Sequence, residues 1–220
     1  MRKRLIISVG ICLSIVLMCL IAFFLRIYVF SKPTTGERIG EYENPKSALL
    51  VIDIQEDFTG KTAKPPFPYK DSDKFISEIN NITNTAVKKN IDIVYIKQVF
   101  SNNLFDYPVS KGRVIKGTTG SEIDSRVNIV SSDIFTKWKS DAFSNNDLEV
   151  FLTERQINQL YIVGLDARGC VYKTSIGAIN RNYKVTVIKD AVVTLDMSKL
   201  EDVLSKYKRD GIEVINVSEF

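Results

Sequence analysis

Leu160-Tyr-Ile-Val-Gly-Leu-Asp-Ala-Arg-Gly-Cys-Val171 is an apolar run that turns directly into the start of a predicted helix. The run predicts a buried strand, and Cys170 follows it where the helix begins. Helix N-termini carry unpaired N–H groups and a partial positive charge, which favour a thiolate over a thiol. Cys170 is therefore a candidate nucleophile, although a single buried cysteine also occurs as a small apolar residue.

The pattern of strand followed by helix recurs on both sides of this stretch. Alternation of this kind predicts an α/β fold, a three-layer α/β/α sandwich with a mostly parallel six-stranded sheet. The predicted strands lie at 47–54, 91–99, within 129–137, and at 160–165, 183–189 and 212–217. The predicted helices lie at 73–89, 146–155, 171–182 and 197–208. A long loop is predicted between them at 101–128, where Phe105 and Tyr107 are candidates to cover a pocket.

Two charged residues end other predicted strands. Asp53 follows the apolar run 48–52, and Lys137 closes the third strand. Ligands of parallel sheets bind at the carboxyl ends of the strands, so Asp53, Lys137 and Cys170 are expected to meet in one crevice. Lys139 is the alternative to Lys137, and Asp53 has the alternative role of a turn cap.

The composition is that of an ordinary globular domain, with 25% charged and 45% hydrophobic residues. The net charge is +4, and Arg2, Lys3 and Arg4 supply much of it, so a nucleic-acid surface is not predicted. The absence of histidine excludes Ser-His-Asp and Cys-His catalysis and every histidine-ligated metal site. We predict neither a metal nor another cofactor.

The N-terminal segment predicts a single membrane anchor. The run 5–25 carries no charged residue and contains the other two cysteines, Cys12 and Cys19. A helix of this length crosses a bilayer core of about 30 Å, whereas a cleaved signal peptide and a buried core helix are the alternatives. The basic N-terminus favours a domain outside the cytosol. The predicted organisation is an anchor at 1–30, a polar linker at 31–46 and one domain at 47–220.

Three segments of the domain carry a resemblance to a known family. They are Ala48-Leu-Leu-Val-Ile-Asp-Ile-Gln-Glu-Asp-Phe58, the segment from Lys137 to Phe143, and Val163-Gly-Leu-Asp-Ala-Arg-Gly-Cys-Val171 with Thr174 and Ala178 after it. Residues 47–217 resemble the isochorismatase-like cysteine hydrolases, which include nicotinamidases and N-carbamoylsarcosine amidohydrolase. The resemblance implies hydrolysis of a small amide, carbamoyl or related C–N compound through a covalent thioester.

The resemblance also implies a role for individual residues. Cys170 would be the nucleophile, Asp53 the base that takes its proton, and Lys137 the third catalytic residue. The oxyanion hole would consist of the backbone N–H groups of Asp166 and Cys170, with a cis peptide bond between Leu165 and Asp166. Three aromatic residues after strand ends are candidates either to line the substrate pocket or simply to pack, namely Phe58, Trp138 and Phe143.

The sequence departs from the family pattern in ways that leave the substrate open. Asp166 and Ala167 stand where relatives have a small apolar residue and a threonine, and Arg168 is a candidate to neutralise Asp166. Nicotinamidases use an Asp/His metal site, which a chain without histidine cannot build. Vinyl-ether hydrolysis and a non-catalytic membrane-tethered binding or sensor module are the alternative functions. The expected partners are a small-molecule substrate, the membrane, and a second copy of the chain as a possible homo-oligomer.

Overall fold

The structure of this chain is a computed structural model, and it describes residues 2–69 and 71–220. Six strands form one sheet: β1 (Lys46–Ile52), β2 (Asp92–Gln98), β3 (Ile134–Lys137), β4 (Ile157–Leu165), β5 (Lys184–Val193) and β6 (Glu213–Ile215). The helices are α1 (Arg2–Ser31), α2 (Ser72–Lys88), α3 (Tyr107–Ser110), α4 (Asn146–Glu154), α5 (Tyr172–Asn180) and α6 (Leu200–Arg209).

The sheet has the order β3-β2-β1-β4-β5-β6, and every pairing in it is parallel. Hydrophobic clusters cover both of its faces: Leu50 of β1 belongs to one cluster and Leu49 to the other. Successive side chains of a strand point to opposite faces, so a central strand covered on both sides must be apolar throughout. The predicted α/β sandwich with six strands is confirmed.

The ends of several elements differ from the prediction. Strand β5 continues to Val193, beyond the charged pair Lys189 and Asp190 that suggested its end. Strand β6 is only three residues long. The predicted loop at 101–128 contains the short helix α3. Local charge and short apolar runs therefore located the elements but not their ends.

Helix α1 contains a stretch, Val9–Ser31, that is long and apolar enough to cross a membrane. Its mean hydropathy is 2.6 and none of its most apolar window is buried by the rest of the protein. A signal sequence near an N-terminus has the same properties, so length and composition give a candidate span and no topology.

The polar segment after α1 is bound to the domain. Thr34 donates from its backbone N–H and from its hydroxyl to Oδ2 of Asp141, at 2.7 and 2.6 Å. Asn180 donates to the Thr34 carbonyl, and Arg181 donates to the Thr34 hydroxyl oxygen. The backbone N–H of Ser140 donates to the Phe30 carbonyl at 3.0 Å. Asp141 is completely buried, so these bonds are shielded from water. The segment is irregular in conformation but fixed in place.

One glycine sets how closely two central strands approach at the carboxyl edge of the sheet. Gly164 has φ +120°, and a Cβ at this position would overlap the backbone oxygen of Ile52 on β1. We expect Gly164→Ala to lower the free energy of unfolding by at least about 2 kcal/mol, through backbone strain and overpacking together. Gly211→Ala is the matched control, because Gly211 has φ +83° but open space around it.

The two variants are compared by thermal unfolding of the detergent-solubilised chain. A domain of this size loses about 2–4 °C in Tm for each kcal/mol. Equal losses in Tm for Gly164→Ala and Gly211→Ala would show that the close approach to Ile52 carries no cost of its own.

Candidate active site

Three strand ends bring the predicted catalytic residues together at the carboxyl edge of the sheet. Asp53 directly follows β1, Lys137 is the last residue of β3, and Cys170 lies in the helical turn after β4. Asp53 has φ +57°, a left-handed conformation that aspartate tolerates better than most residues. This conformation ends the strand, and the Asp53 side chain is buried beside Lys137.

Lys137 is the centre of the cluster. Its Nζ lies 2.8 Å from Oδ2 of Asp53 and 3.3 Å from Sγ of Cys170. It also donates to Oε1 of Gln98 at 2.6 Å and to the Lys139 carbonyl at 3.3 Å. The Lys137 side chain is fully buried, so of the two lysines it is the one that the structure places in the cluster. Lys139 offers only its backbone here, and its ammonium lies over the Trp138 ring.

The three groups shift one another's ionisation. Burial raises the pKa of Asp53 above its ordinary value, against the opposing effect of the Lys137 ammonium. Burial lowers the pKa of Lys137, but the charge of Asp53 and then that of Cys170 outweigh it, so the pKa lies above the ordinary value. Burial and the Asp53 charge raise the pKa of Cys170 to about 12, with Lys137 opposing. The cluster therefore holds a neutral thiol beside an ammonium–carboxylate pair.

Asp53 has one oxygen free to take a proton. Oδ2 faces Lys137, whereas Oδ1 is buried and accepts no hydrogen bond from the residues that the structure describes. The Cys170 thiol interacts with the same carboxylate closely enough to shift its pKa. A buried acceptor without a partner costs free energy, which a catalytic role can explain. Within the described part of the chain, Asp53 therefore keeps one carboxylate oxygen unpaired in the cluster that contains the Cys170 thiol.

The turn that carries Cys170 begins with the cis peptide bond that the resemblance implied. The peptide bond between Leu165 and Asp166 is cis. Residues Ala167–Val171 form a wide helical turn with a kink at Gly169, and α5 continues from it. Cys170 therefore sits in the first turns of a helical segment, where backbone N–H groups lack carbonyl partners from within the helix.

The carboxylate of Asp166 is held by donors from three elements. Its Oδ1 accepts from the backbone N–H of Arg168 at 2.7 Å, and its Oδ2 accepts from the Tyr69 hydroxyl at 3.2 Å and the Leu195 backbone N–H at 3.3 Å. Arg168 contacts this carboxylate through its backbone N–H, whereas its side chain, the group expected to neutralise Asp166, is exposed. Burial and the Asp166 charge raise the pKa of Tyr69, so the phenol stays a donor.

A cavity of about 490 Å³ opens onto Asp53 and Cys170. Its size suits a small organic ligand. Apolar side chains make most of its wall, including Phe58 and two residues from outside the core motifs, Phe30 and Phe100. The other lining residues are Pro65, Pro66, Phe67, Gln98, Val109, Ser110, Lys111, Arg113, Val114 and Leu195.

Of the three aromatic residues predicted to line a pocket, the structure places only Phe58 against this cavity. Phe143 is buried in the core, where it packs against Tyr183 and the guanidinium of Arg181. Trp138 is half-exposed on the outer surface and donates from Nε1 to the Ser144 carbonyl. Phe143 and Trp138 take the plainer packing role, because neither side chain lines the cavity.

Sequence reasoning missed two groups of site residues. The Gln98 side chain accepts a hydrogen bond from Lys137. Its backbone is held by the Gln55 side-chain amide, which accepts from the Gln98 N–H and donates to the Gln98 carbonyl. A polar residue at the end of a buried strand was the signal available for Gln98. Phe30 belongs to the segment predicted as an anchor, and nothing in its sequence context points to a cavity wall.

Within residues 2–69 and 71–220, no group of three or more His, Cys, Asp or Glu side chains is placed to hold a metal ion.

Comparison with known proteins agrees with this architecture. The family model described as Isochorismatase domain matches residues 47–219. A Bacillus subtilis protein named uncharacterized isochorismatase family protein PncA is 29% identical over 69% of this chain and 88% of its own length. N-carbamoylsarcosine amidase of an Arthrobacter species is 22% identical over 74% of this chain and 65% of its own. The zinc complex of Pyrococcus horikoshii pyrazinamidase has a TM-score of 0.68 at 24% identity, covering 78% of this chain and 99% of that one.

Proposed function

This chain belongs to the isochorismatase family, and on that premise we propose that it is a membrane-anchored cysteine hydrolase of a small amide, carbamoyl or related C–N compound. The observation that carries the proposal is the contact of Lys137 Nζ with both Asp53 and Cys170, at 2.8 and 3.3 Å. The similarity to a protein named N-carbamoylsarcosine amidase supports an amide or carbamoyl substrate.

In the proposed first step, Sγ of Cys170 attacks the substrate carbonyl carbon while its proton passes to Oδ1 of Asp53. The pKa of about 12 makes a free thiolate rare at neutral pH, so proton removal must accompany attack. The carbonyl oxygen becomes an oxyanion, which the backbone N–H groups of Asp166 and Cys170 stabilise. Lys137 keeps its positive charge beside the base and the sulfur throughout.

In the second step, the C–N bond breaks and Asp53 returns its proton to the leaving nitrogen. The remaining acyl or carbamoyl group is a thioester on Cys170. Water then attacks the thioester carbon and gives its proton to Asp53. The C–S bond breaks, the thiol recovers the proton, and the acid product leaves.

The pH dependence of kcat/KM follows from the ionisation of Asp53, because only its carboxylate form accepts the thiol proton. Since burial raises the pKa of Asp53, we expect activity to fall with decreasing pH at a midpoint above the ordinary 3.8. The thiol and the ammonium titrate far above neutrality, so we expect no alkaline loss near pH 8–9, the ordinary range of a thiol. A bell-shaped profile with an alkaline limb in that range would contradict this assignment.

A substrate panel tests the proposed reaction. The full-length protein in detergent is given small primary amides, ureido and carbamoyl compounds, and a vinyl ether, and product release is measured. Intact-mass spectrometry of rapidly quenched samples then looks for a mass increase equal to the acyl or carbamoyl group. We expect turnover of a C–N compound and an adduct that maps to Cys170. Turnover of the vinyl ether alone, without any adduct, would favour the alternative hydrolysis.

The anchor role of α1 is part of the proposal. It is supported by the candidate span Val9–Ser31 and by the basic residues before it, which favour a cytosolic N-terminus and a domain on the opposite side. The intact mass of protein extracted from membranes tests it, because a cleaved signal sequence would shorten the chain. Protease protection of the domain in sealed vesicles tests its side.

A further inference from the structure

The exposed segment 104–107, here named the apolar loop, lies beside the end of α1. Leu104 and Phe105 are 84% and 79% exposed, and Tyr107 is 60% exposed. Large apolar side chains clustered at such exposure in a loop have no folding role and indicate a contact with another apolar surface. Helix α3, which begins at Tyr107, packs against α1.

An ion pair between Arg26 and Asp106 fixes the position of the apolar loop along the axis of α1. Arg26 follows the apolar run 5–25 and is the one charged residue within the candidate span Val9–Ser31, near its end, so it marks the level of the lipid headgroups. Arg26 donates to Asp106 at 2.6 Å, and both side chains are about four-fifths buried. Asp106 therefore lies at that same level, and the side chains of Leu104 and Phe105 precede it directly.

Aromatic residues around the same level have the character of a membrane interface. The Arg26 guanidinium lies 5.9 Å from the centre of the Trp138 ring, and Trp138 and Tyr28 are both exposed. Trp and Tyr are enriched where lipid headgroups meet hydrocarbon, because their rings have an apolar body and a polar tip.

We propose that the apolar loop inserts into the interfacial layer of the lipid bilayer beside α1. The Arg26–Asp106 ion pair and the packing of α3 on α1 hold the loop beside the apolar helix, which commits the occupant to lipid. Phe30 of α1 and Val109 of α3 line the cavity of Cys170, so one wall of the cavity lies at the level of the headgroups. A substrate would then reach the thiol from the membrane surface. The inference rests on the anchor role of α1 and is independent of the thiol chemistry.

The test is quenching of a single tryptophan by lipids with brominated acyl chains. The full-length protein is prepared as Trp138→Phe, which removes its only tryptophan, and placed at one copy per lipid nanodisc. Phe105→Trp and Leu104→Trp report on the loop, and Phe24→Trp reports on α1. Val87→Trp is the control, because Val87 is exposed at the end of α2 that leads into β2, on the opposite edge of the sheet.

We expect a loss of fluorescence for both loop reporters that approaches the loss for Phe24→Trp, and none for Val87→Trp. Quenching in discs with one copy excludes a second copy as the cover of the loop. Quenching of Phe24→Trp alone would overturn the proposal and leave another protein surface as the occupant. Quenching of none of the four would show that α1 is not inserted, which also overturns it without bearing on hydrolysis.

Discussion

Replacement of Cys170 by alanine should reduce kcat for any amide or carbamoyl substrate by at least roughly 10³-fold, because no other group can form the thioester. Cys170 is the only cysteine of the chain outside α1. Since Cys170 is a small side chain that borders the cavity, its replacement by alanine should leave the fold intact. The measurement is product release by the purified full-length variant under substrate saturation.

Cys19→Ala is the matched control for Cys170→Ala. Cys19 is exposed on α1 and lies outside the residues that line the cavity, so its loss should leave kcat unchanged. An adduct found on wild-type protein should be absent from Cys170→Ala and present on Cys19→Ala. Turnover that persists in purified Cys170→Ala would rule out the covalent mechanism.

Replacement of Asp53 by asparagine should have two opposite effects. Turnover should fall by about 10²–10⁴-fold, because the variant has no base to accept the thiol proton. Alkylation of Cys170 by iodoacetamide should become faster at pH 8. Burial and the Asp53 charge raise the pKa of the thiol, while Lys137 lowers it. Loss of the carboxylate removes one of the two raising effects and keeps the ammonium, so the pKa of the thiol should fall.

Lys137→Met is the informative counterpart of Asp53→Asn. It removes the charge that lowers the thiol pKa, so both turnover and alkylation should fall. Asp202→Asn, on the exposed face of α6, controls for the loss of a carboxylate and should change neither rate. Slower alkylation in Asp53→Asn than in wild type would mean that Asp53 does not control the thiol as proposed.

Two features were predictable from local signals: the fold, and the proximity of Asp53, Lys137 and Cys170. A central strand of a parallel sheet must be apolar throughout, and charged residues at the ends of such strands share one edge. The choice of Lys137 over Lys139 came from the family resemblance, because local signals do not separate two lysines that are two positions apart. The structure places Lys137 in the cluster, buried beside Asp53.

The contacts of the predicted linker could not be read from the sequence, because they join distant positions. Proline, glycine and polar residues predict an absence of regular secondary structure, and that prediction agrees with the structure. Whether such a segment is free or bound depends on a partner such as Asp141, which lies 107 residues from Thr34. The position of Phe30 in the cavity wall was not predictable for the same reason, because it depends on the contacts of this segment with the domain.

The hydrogen bonds of Thr34 fix the segment between α1 and the domain, so the connection between them is rigid. A flexible linker would let a domain reorient freely relative to the helix before it. Here the hydrogen bonds of Phe30 and Thr34 fix the orientation of the domain relative to α1. One residue added to a helix rotates the rest of the chain by about 100° around the helix axis. Lengthening α1 by one residue before Phe30 would therefore rotate the carboxyl edge of the sheet about the axis of α1, or break the hydrogen bonds of Phe30 and Thr34. The length of α1 thus sets the orientation of the domain about the helix axis, which fixes how the active-site cavity faces the bilayer in the proposed anchored state.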